Sequence, residues 1–431
     1  MMSVSSARFV TPVLTNRKRE LLGGLLHQFA ESVNFCIKKC LEYGCTSRAG
    51  LHRVAYEEWK SKFKLATHWF HSAGRVATQT LRSWRKLCRQ GQANPKKPPV
   101  YEAWAMRLEL WADENSTGIC RFRGDAVQIR VCKGEYLWLP LVVTEHHELH
   151  YLRDWRDGKA KVGEITISAF KGRANVFVPF KREVQAKLVE GICGIDINER
   201  SIDLTILKPN EQPKHISLDV SKLPAIHHAS QLKRKSIQRK FDTLPKRPVQ
   251  KRRLQAKYWR RERNRTNQIL HVVSKQIAEI AKRERVAVAF EDLTNIRQSM
   301  RSKRKSRNGQ ALRKDTRRRL NQWPFNKLQF YMDYKVAWQG LPTVEVNNYH
   351  KSKDCPICGR YNRPNGHAYR CQACGFEASR HLVASWNIAK DGARHVSADC
   401  WQMQQVAEEL VAPAKLPVEP ERLPVQFSTG I

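Results

Sequence analysis

Residues 355–390 read CPICGRYNRPNGHAYRCQACGFEASRHLVASWNIAK, and two features of this stretch decide how the rest of the chain is read. The first is the spacing CxxC-x12-CxxC made by Cys355, Cys358, Cys371 and Cys374. Each pair suits a tight knuckle, with Gly359 and Gly375 following where the backbone has to turn, so four thiolates converge on one tetrahedral ion. Four thiolates leave no open coordination position, which makes the ion a structural Zn²⁺ and not a catalyst. The second feature is the short helix beyond the knuckle, where Leu382, Trp386 and Ala389 fall at i, i+4 and i+7 and give one apolar face. The first turn of such a helix is a good place for a catalytic carboxylate. It offers Ser379, Arg380 and His381.

Charge points to the partner. The 431 residues carry 78 Lys and Arg against 40 Asp and Glu, a formal net charge of +38. A chain with that much self-repulsion normally meets a polyanion, and nucleic acid is the leading class. The basic residues are spread over the whole chain without a lipidation motif, no apolar run approaches a membrane span of about 18 residues, and the start MMSVSSARFV lacks the apolar core of a secretory signal. Eight of the twelve cysteines are scattered singly, as reduced thiols in a cytosolic setting would be.

Upstream of the knuckles the periodicity changes twice. RFVTPV (8–13) reads as a strand, and residues 17–90 read as basic amphipathic helices. The stretch QGQANPKKPP (90–99) is a break. MRLELWA, GICRFR, AVQIRV, EYLWLPLVV, GEITISAF and ANVFVPF then alternate as strands of a small barrel or sandwich. GICGIDINERSIDLTIL (191–207) reads as two strands about a turn, followed by a long basic helical region over 227–284 in which Ile269, Val273, Ile277 and Ile280 mark a buried stripe. VAVAF (286–290) is a continuous apolar strand, NKLQFYMDYKVAW (326–338) a helix and TVEVNNY (343–349) a strand. Two segments are candidate nucleic-acid contacts: WRRERNR (259–265), with Arg260, Arg261, Arg263 and Arg265, and the run 297–319, with eleven Lys or Arg in twenty-three residues. The latter includes Arg301, Lys303, Arg304, Lys305, Arg307, Arg317, Arg318 and Arg319.

Two carboxylates stand out. Asp196 interrupts an apolar strand, which is expensive unless a cation or donors receive it. Glu291 ends VAVAF, where parallel strands of an α/β sheet present functional groups. Such a pair would suit two-metal phosphodiester hydrolysis, with acidic oxygens holding ions about 3.5–4 Å apart. Asp203 and Asp292 are candidate structural partners.

Asp196 in GIDIN, Glu291 in FEDL, the NQWPFNKLQFYMDYK helix, the KSKDCPICG and YRCQACGF knuckles and the ASWNI helix follow one another in an order that resembles TnpB. That family of transposon-encoded RNA-guided nucleases, also called OrfB-type zinc-ribbon proteins, is ancestor-like to the type V CRISPR effectors. The resemblance covers almost the whole chain. It implies a multidomain α+β protein with an RNase H-like RuvC α/β domain carrying an inserted four-Cys zinc ribbon, preceded by a wedge β-barrel and a helical recognition bundle. The expected boundaries are 1–13 for the first wedge strand, 14–99 for the recognition helices and 100–185 for the wedge. RuvC follows at 186–350, the target-nucleic-acid-binding zinc ribbon at 351–379, the RuvC C-terminal helix at 380–405, and a mostly disordered tail at 406–431. The implied partners are a guide RNA made from a transposon end or an array and a double-stranded DNA target with a short adjacent motif. The implied setting is a prokaryotic cytoplasm near the nucleoid, with no membrane.

In that family three acids hold Mg²⁺. Asp196 falls on the first position and Glu291 on the second. The third should lie in a stretch resembling D-R-D-x-N-A-A-x-N-I, where this chain has His381 for the catalytic Asp, Ser379 for the preceding Asp and Val383 for the usual Asn. Mg²⁺ wants hard oxygen ligands, so a neutral imidazole is a poor substitute. Mn²⁺ at His381 is one conceivable rescue, and Glu377 or Asp391 swinging in are others. The expectation is therefore an RNA-guided DNA-binding protein with a weakened or lost nuclease, acting by target occupancy such as transcriptional repression. The alternatives are an active metal-dependent endonuclease with a rearranged site, and a decaying transposon-encoded protein.

Overall fold

A computed structural model describes residues 2–110, 118–243, 248–293, 314–364, 366–401, 410, 421–423 and 425. They form two compact units, one ending at Glu183 and one beginning at Val184.

The first unit opens with β1 (Met2–Val10) and three helices, α1 (Asn16–Glu42), α2 (Arg48–Lys62) and α3 (His68–Arg89). Thr15 starts α1 by accepting the Lys18 amide, and Leu22, Leu25, Leu26, Phe29, Val33 and Ile37 then recur at three- and four-residue steps and are buried. Trp59 of α2 reaches into this core and donates its indole N–H to Ser32 at 2.6 Å. Seven strands follow: β2 (Met106–Leu108), β3 (Cys120–Phe122), β4 (Ala126–Cys132), β5 (Glu135–Pro140), β6 (Ala160–Val162), β7 (Ile165–Phe170) and β8 (Arg173–Glu183). One sheet runs β1-β8-β7-β2 with β6 also on β8, and a second runs β3-β4-β5. Bridges Val10–Val142 and Leu110–Cys120 join them, and Phe9, Phe122 and Phe180 meet at centroid distances of 5.8 and 5.9 Å. Helical turns at Glu145–His147, Glu148–Leu152 and Arg153–Arg156, which strand alternation does not foreshadow, begin at a reciprocal cap between Thr144 and His147.

The second unit is built on a six-stranded sheet. Its elements are β9 (Gly191–Ile197), β10 (Ser201–Leu207), β11 (Lys214–Asp219), α4 (Lys222–Asp242), α5 (Pro248–Glu284) and β12 (Val286–Glu291). After them come α6 (Lys314–Gln322), α7 (Phe325–Trp338), β13 (Thr343–Val346), the small hairpin β14 (Ala368–Arg370) and β15 (Glu377–Ser379), α8 (Arg380–His395) and β16 (Glu421–Leu423). The strand order is β13-β12-β9-β10-β11-β16. β9, β10 and β11 form an antiparallel meander, whereas β12 runs parallel to β9 and β13 parallel to β12. The basic stretch expected to be one helical region is two helices, and α5 buries the stripe Ile269, Val273, Ile277 and Ile280. Within 406–431, expected to be mostly disordered, the described residues are 410, 421–423 and 425. The apolar ones find a sheet edge: β16 pairs with β11, and Leu410 and Val425 pack against the core.

α8 lies directly on β9. A Cβ on Gly194 would stand 2.1 Å from the Ser385 carbonyl oxygen and 2.3 Å from the Ala389 nitrogen, so only glycine lets the two backbones approach this closely. Leu382, Trp386 and Ala389 are buried on that contact, as their spacing implied. Gly194→Ala is expected to destabilise the second unit by about 3 kcal/mol or more, a fall in Tm of roughly 6–12 °C. Differential scanning calorimetry checks this, and an unchanged melting profile would contradict the packing.

Candidate metal-binding cleft

Asp196 is the last buried residue of β9. Its parallel neighbour β12 pairs Phe290 with Ile195, so the next residues, Glu291 and Asp196, leave the two strand ends side by side. On the antiparallel side Asp196 stands opposite Asp203 of β10. Two carboxylates directly opposite repel, and donors offset this. Asn198 bridges them, donating to Asp196 Oδ2 at 2.7 Å and to Asp203 Oδ2 at 3.0 Å. Ser201 and Ser217 also donate to Asp203, at 2.6 and 2.7 Å.

His381 enters from above, in the first turn of α8. Its Nδ1 lies 3.2 Å from Asp196 Oδ2, and its Nε2 lies 3.1 Å from Nδ1 of His367. The hydrogen bond to Asp196 raises the imidazole pKa, against the pull of burial. The other two departures in this turn also have structural roles. Ser379 accepts the Leu382 amide and caps α8, and Val383 is fully buried. Neither rescue acid reaches the cleft: Glu377 pairs with Arg370 at 3.0 Å and Asp391 pairs with Lys351. Asp196, Glu291 and His381 line one open cleft of about 570 Å³, together with Asn198, Lys351 and His367. Among the described residues, Asp196, Asp203 and His381 have ligand atoms within 4.8 Å of one another.

The four cysteines converge as their spacing requires. Sγ of Cys355 is 3.6 Å from that of Cys374, and Sγ of Cys358 is 3.5 Å from that of Cys371. Thiolates at about 2.3 Å around a tetrahedral ion would stand about 3.8 Å apart, so the set fits a metal. Gly359 and Gly375 adopt φ of +71° and +74° and donate back to the Cys355 and Cys371 carbonyls at 2.9 and 3.0 Å, closing two matching knuckles. Burial raises the Cys371 thiol, but the amides of Cys374 and Ala373 together with the thiols of Cys358 and Cys374 bring it down to about 6. α8 grips the first knuckle, since Asn387 donates to the Lys351 and Asp354 carbonyls at 2.8 and 2.7 Å.

Of the basic candidates, Arg260, Arg261, Arg263 and Arg265 are exposed on α5. Arg263 lies 4.6 Å from the ring centroid of exposed Trp259, and Arg261 lies 5.7 Å from that of Tyr258. Arg319 pairs with Glu199 at 3.3 Å, and Arg318 is half-buried. Arg301, Lys303, Arg304, Lys305 and Arg307 lie outside the described residues, as does the side chain of Arg317. Among the described residues no helix is long and apolar enough to cross a membrane.

Comparison with known proteins identifies the family and the fold. The TnpB-like protein MJ0751 of Methanocaldococcus jannaschii is 36% identical over 272 residues, which cover 63% of this chain and 92% of that protein. The chain belongs to the TnpB family. Residues 325–388 match the Cas12f1-like, TNB domain family, a span that holds α7, both knuckles and His381. Residues 25–112 match the uncharacterized protein MJ0013 family. The CRISPR-associated endodeoxyribonuclease Cas12f1 of Sulfoacidibacillus thermotolerans is 30% identical over 123 residues, covering 28% of this chain and 25% of that one. A cryo-EM structure of the Cas12f1-sgRNA-target DNA complex shares the fold with a TM-score of 0.64 at 12% identity, covering 88% of this chain and 83% of that chain. The TnpB family is thus joined in this chain to a Cas12-like multidomain α+β fold and a four-Cys cluster.

Asp203 and His367 were not singled out as ligands or partners of His381. Asp203 comes to face Asp196 through the β9–β10 register, and His367 reaches the cleft through the pairing of Ala368 with Ser379 across the β14–β15 hairpin. An alternating strand with two acids about one turn was the available signal for Asp203. For His367 the sequence carries none.

Glu291 tests the cleft's electrostatics. Burial first, then the charge of Asp196, raise its pKa to about 7, and Lys351 pulls the other way. A folded-state pKa above the unfolded one means the native state holds the proton more tightly, so stability falls as pH rises from about 4.5 through about 7. Glu291→Gln is therefore expected to raise the Tm of zinc-loaded, Mg²⁺-free protein by a few degrees near pH 8 and to change little near pH 4. Equal effects at both pH values in calorimetry would contradict this.

Proposed function

We propose that this chain binds a guide RNA and, through it, a double-stranded DNA target bearing a short adjacent motif. In this reading it acts by occupying that target, as in transcriptional repression, with a RuvC-type nuclease that is weakened or lost. Several features support the reading. The order β13-β12-β9-β10-β11, with a meander on one side and parallel strands on the other, fits an RNase H-like RuvC plan. The four-Cys cluster fits a structural Zn²⁺ ribbon. In the first unit the three basic helices fit a recognition bundle and the joined sheets a wedge. The charge of +38 and the exposed arginines flanking Trp259 suit a nucleic-acid backbone with bases to stack.

One observation carries the loss of cutting: His381 bonds to Asp196 where the family's third acid would stand. A pair of Mg²⁺ ions needs several hard oxygens and enough negative charge to offset two dications. This cleft has replaced one acid by an imidazole, held its first acid in a hydrogen bond to that imidazole, and set Lys351 beside Glu291. The residues present do not fit that pair. Losing an anchoring group of this kind costs on the order of a thousandfold or more in rate.

The test uses the chain co-expressed with its native flanking DNA, followed by sequencing of co-purified RNA and assay of matched target DNA in Mg²⁺. Tight guided binding without cutting is expected, with cutting partly restored by His381→Asp. Cleavage by the unaltered protein at ordinary nuclease rates in Mg²⁺ would sink the reading. A Mn²⁺-dependent activity abolished by Asp196→Ala would favour a rearranged but active endonuclease instead.

A further inference from the structure

We propose that Asp196, Asp203 and His381 form a site for a single mid-row divalent transition ion of the Mn²⁺ class, selected over Mg²⁺. The inference deepens the reading of this cleft given above, and it rests on the cleft being the family's altered acid site.

The donor set comes first. Ligand atoms of the three residues lie within 4.8 Å of one another, on three different elements that converge from β9, β10 and α8. His381 Nδ1 and Asp196 Oδ2, 3.2 Å apart, are separated as two neighbouring ligands at about 2.1 Å from one ion would be. Coordination replaces their hydrogen bond and needs no rebuilding of the turn. One nitrogen with carboxylate oxygens suits Mn²⁺ and its heavier neighbours better than Mg²⁺, which favours an all-oxygen octahedron.

The outer partners of a metal site are also in place. A ligating histidine usually hands its other ring N–H to a fixed acceptor, which sets the tautomer. His381 Nε2 faces His367 Nδ1 at 3.1 Å, so an Nε2–H donated there leaves the Nδ1 lone pair for the ion once the ion has displaced the Nδ1 proton. Asn198 orients both carboxylates, and Ser201 and Ser217 hold Asp203 from below. Asp196 is only 9% exposed, so its charge is poorly met by water and gains from an ion.

Charge sets the number of ions. Two carboxylates and a neutral imidazole balance one dication. The remaining acid, Glu291, shares the cleft with the Lys351 ammonium, whose positive charge opposes a second ion there.

The experiment uses the full-length, zinc-loaded chain stripped of nucleic acid and titrated with Mn²⁺ by electron paramagnetic resonance. One Mn²⁺ per chain is expected, with nitrogen modulation from a directly bound imidazole in pulsed spectra. His367→Gln is expected to weaken binding roughly ten- to a hundredfold while keeping the nitrogen signal. His381→Asp keeps a ligand, loses the nitrogen signal and lets Mg²⁺ compete roughly tenfold better or more. Asp203→Asn guards against a folding defect at the helix, with zinc content and Tm recorded for every variant. No stoichiometric Mn²⁺, a bound Mn²⁺ without nitrogen modulation, or equal affinity for Mg²⁺ and Mn²⁺ would each overturn the site. None of these outcomes touches guided DNA binding, so the site can fail while the proposed function stands. Cutting in Mg²⁺ would defeat the function without deciding the Mn²⁺ site.

Discussion

Backbone contact between α8 and β9 governs the second unit. Gly194 has no side chain, so the helix settles where a Cβ would overlap the Ser385 carbonyl. Ser385 is locked further by a 2.6 Å hydrogen bond to Thr205 of β10, and Asn387 and Lys390 hold the first cysteine knuckle by its carbonyl oxygens. The helix is therefore fixed at once to the sheet and to the four-Cys cluster. Its first turn has little freedom, and whatever residue sits second in that turn is delivered onto Asp196.

At the cleft the chain meets a common electrostatic problem with its own groups. Asp196 and Asp203 face each other across the β9–β10 register, and Glu291 ends the neighbouring strand. Three acids this close need cations or donors. Here Asn198, Ser201, Ser217 and His381 supply the donors, and Lys351 acts on Glu291 from its ion pair with Asp391. Neutral Ser379 and apolar Val383 fit the same turn without strain, one as a cap and one in the core. The turn is thus well packed, with Ser379, His381 and Val383 each given a structural place.

Much of this was legible in the sequence, wherever chemistry is carried by local spacing. The CxxC pairs, the apolar face of α8, the stripe on α5 and the acids after apolar strand residues all follow from periods of a few residues. What depended on pairing between distant segments was not legible. Asp203 read as a bland structural partner because its importance comes from standing opposite Asp196. His367 was silent because a hairpin brings it to His381. The turns over 145–156 interrupt a strand pattern for reasons of capping at Thr144 and His147, and β16 needs a sheet edge no local pattern announces.

His381 holds Asp196 in a 3.2 Å hydrogen bond, and Mg²⁺ is expected not to displace it. Histidine ¹⁵N–¹H correlation spectra of the zinc-loaded chain, recorded with and without an excess of Mg²⁺, address it directly. The His381 signals are expected to show a proton shared between Nδ1 and Asp196, unmoved by Mg²⁺. A Mg²⁺-dependent shift of those signals that is lost in Asp196→Asn would mean the ion enters the site after all, and would contradict the account.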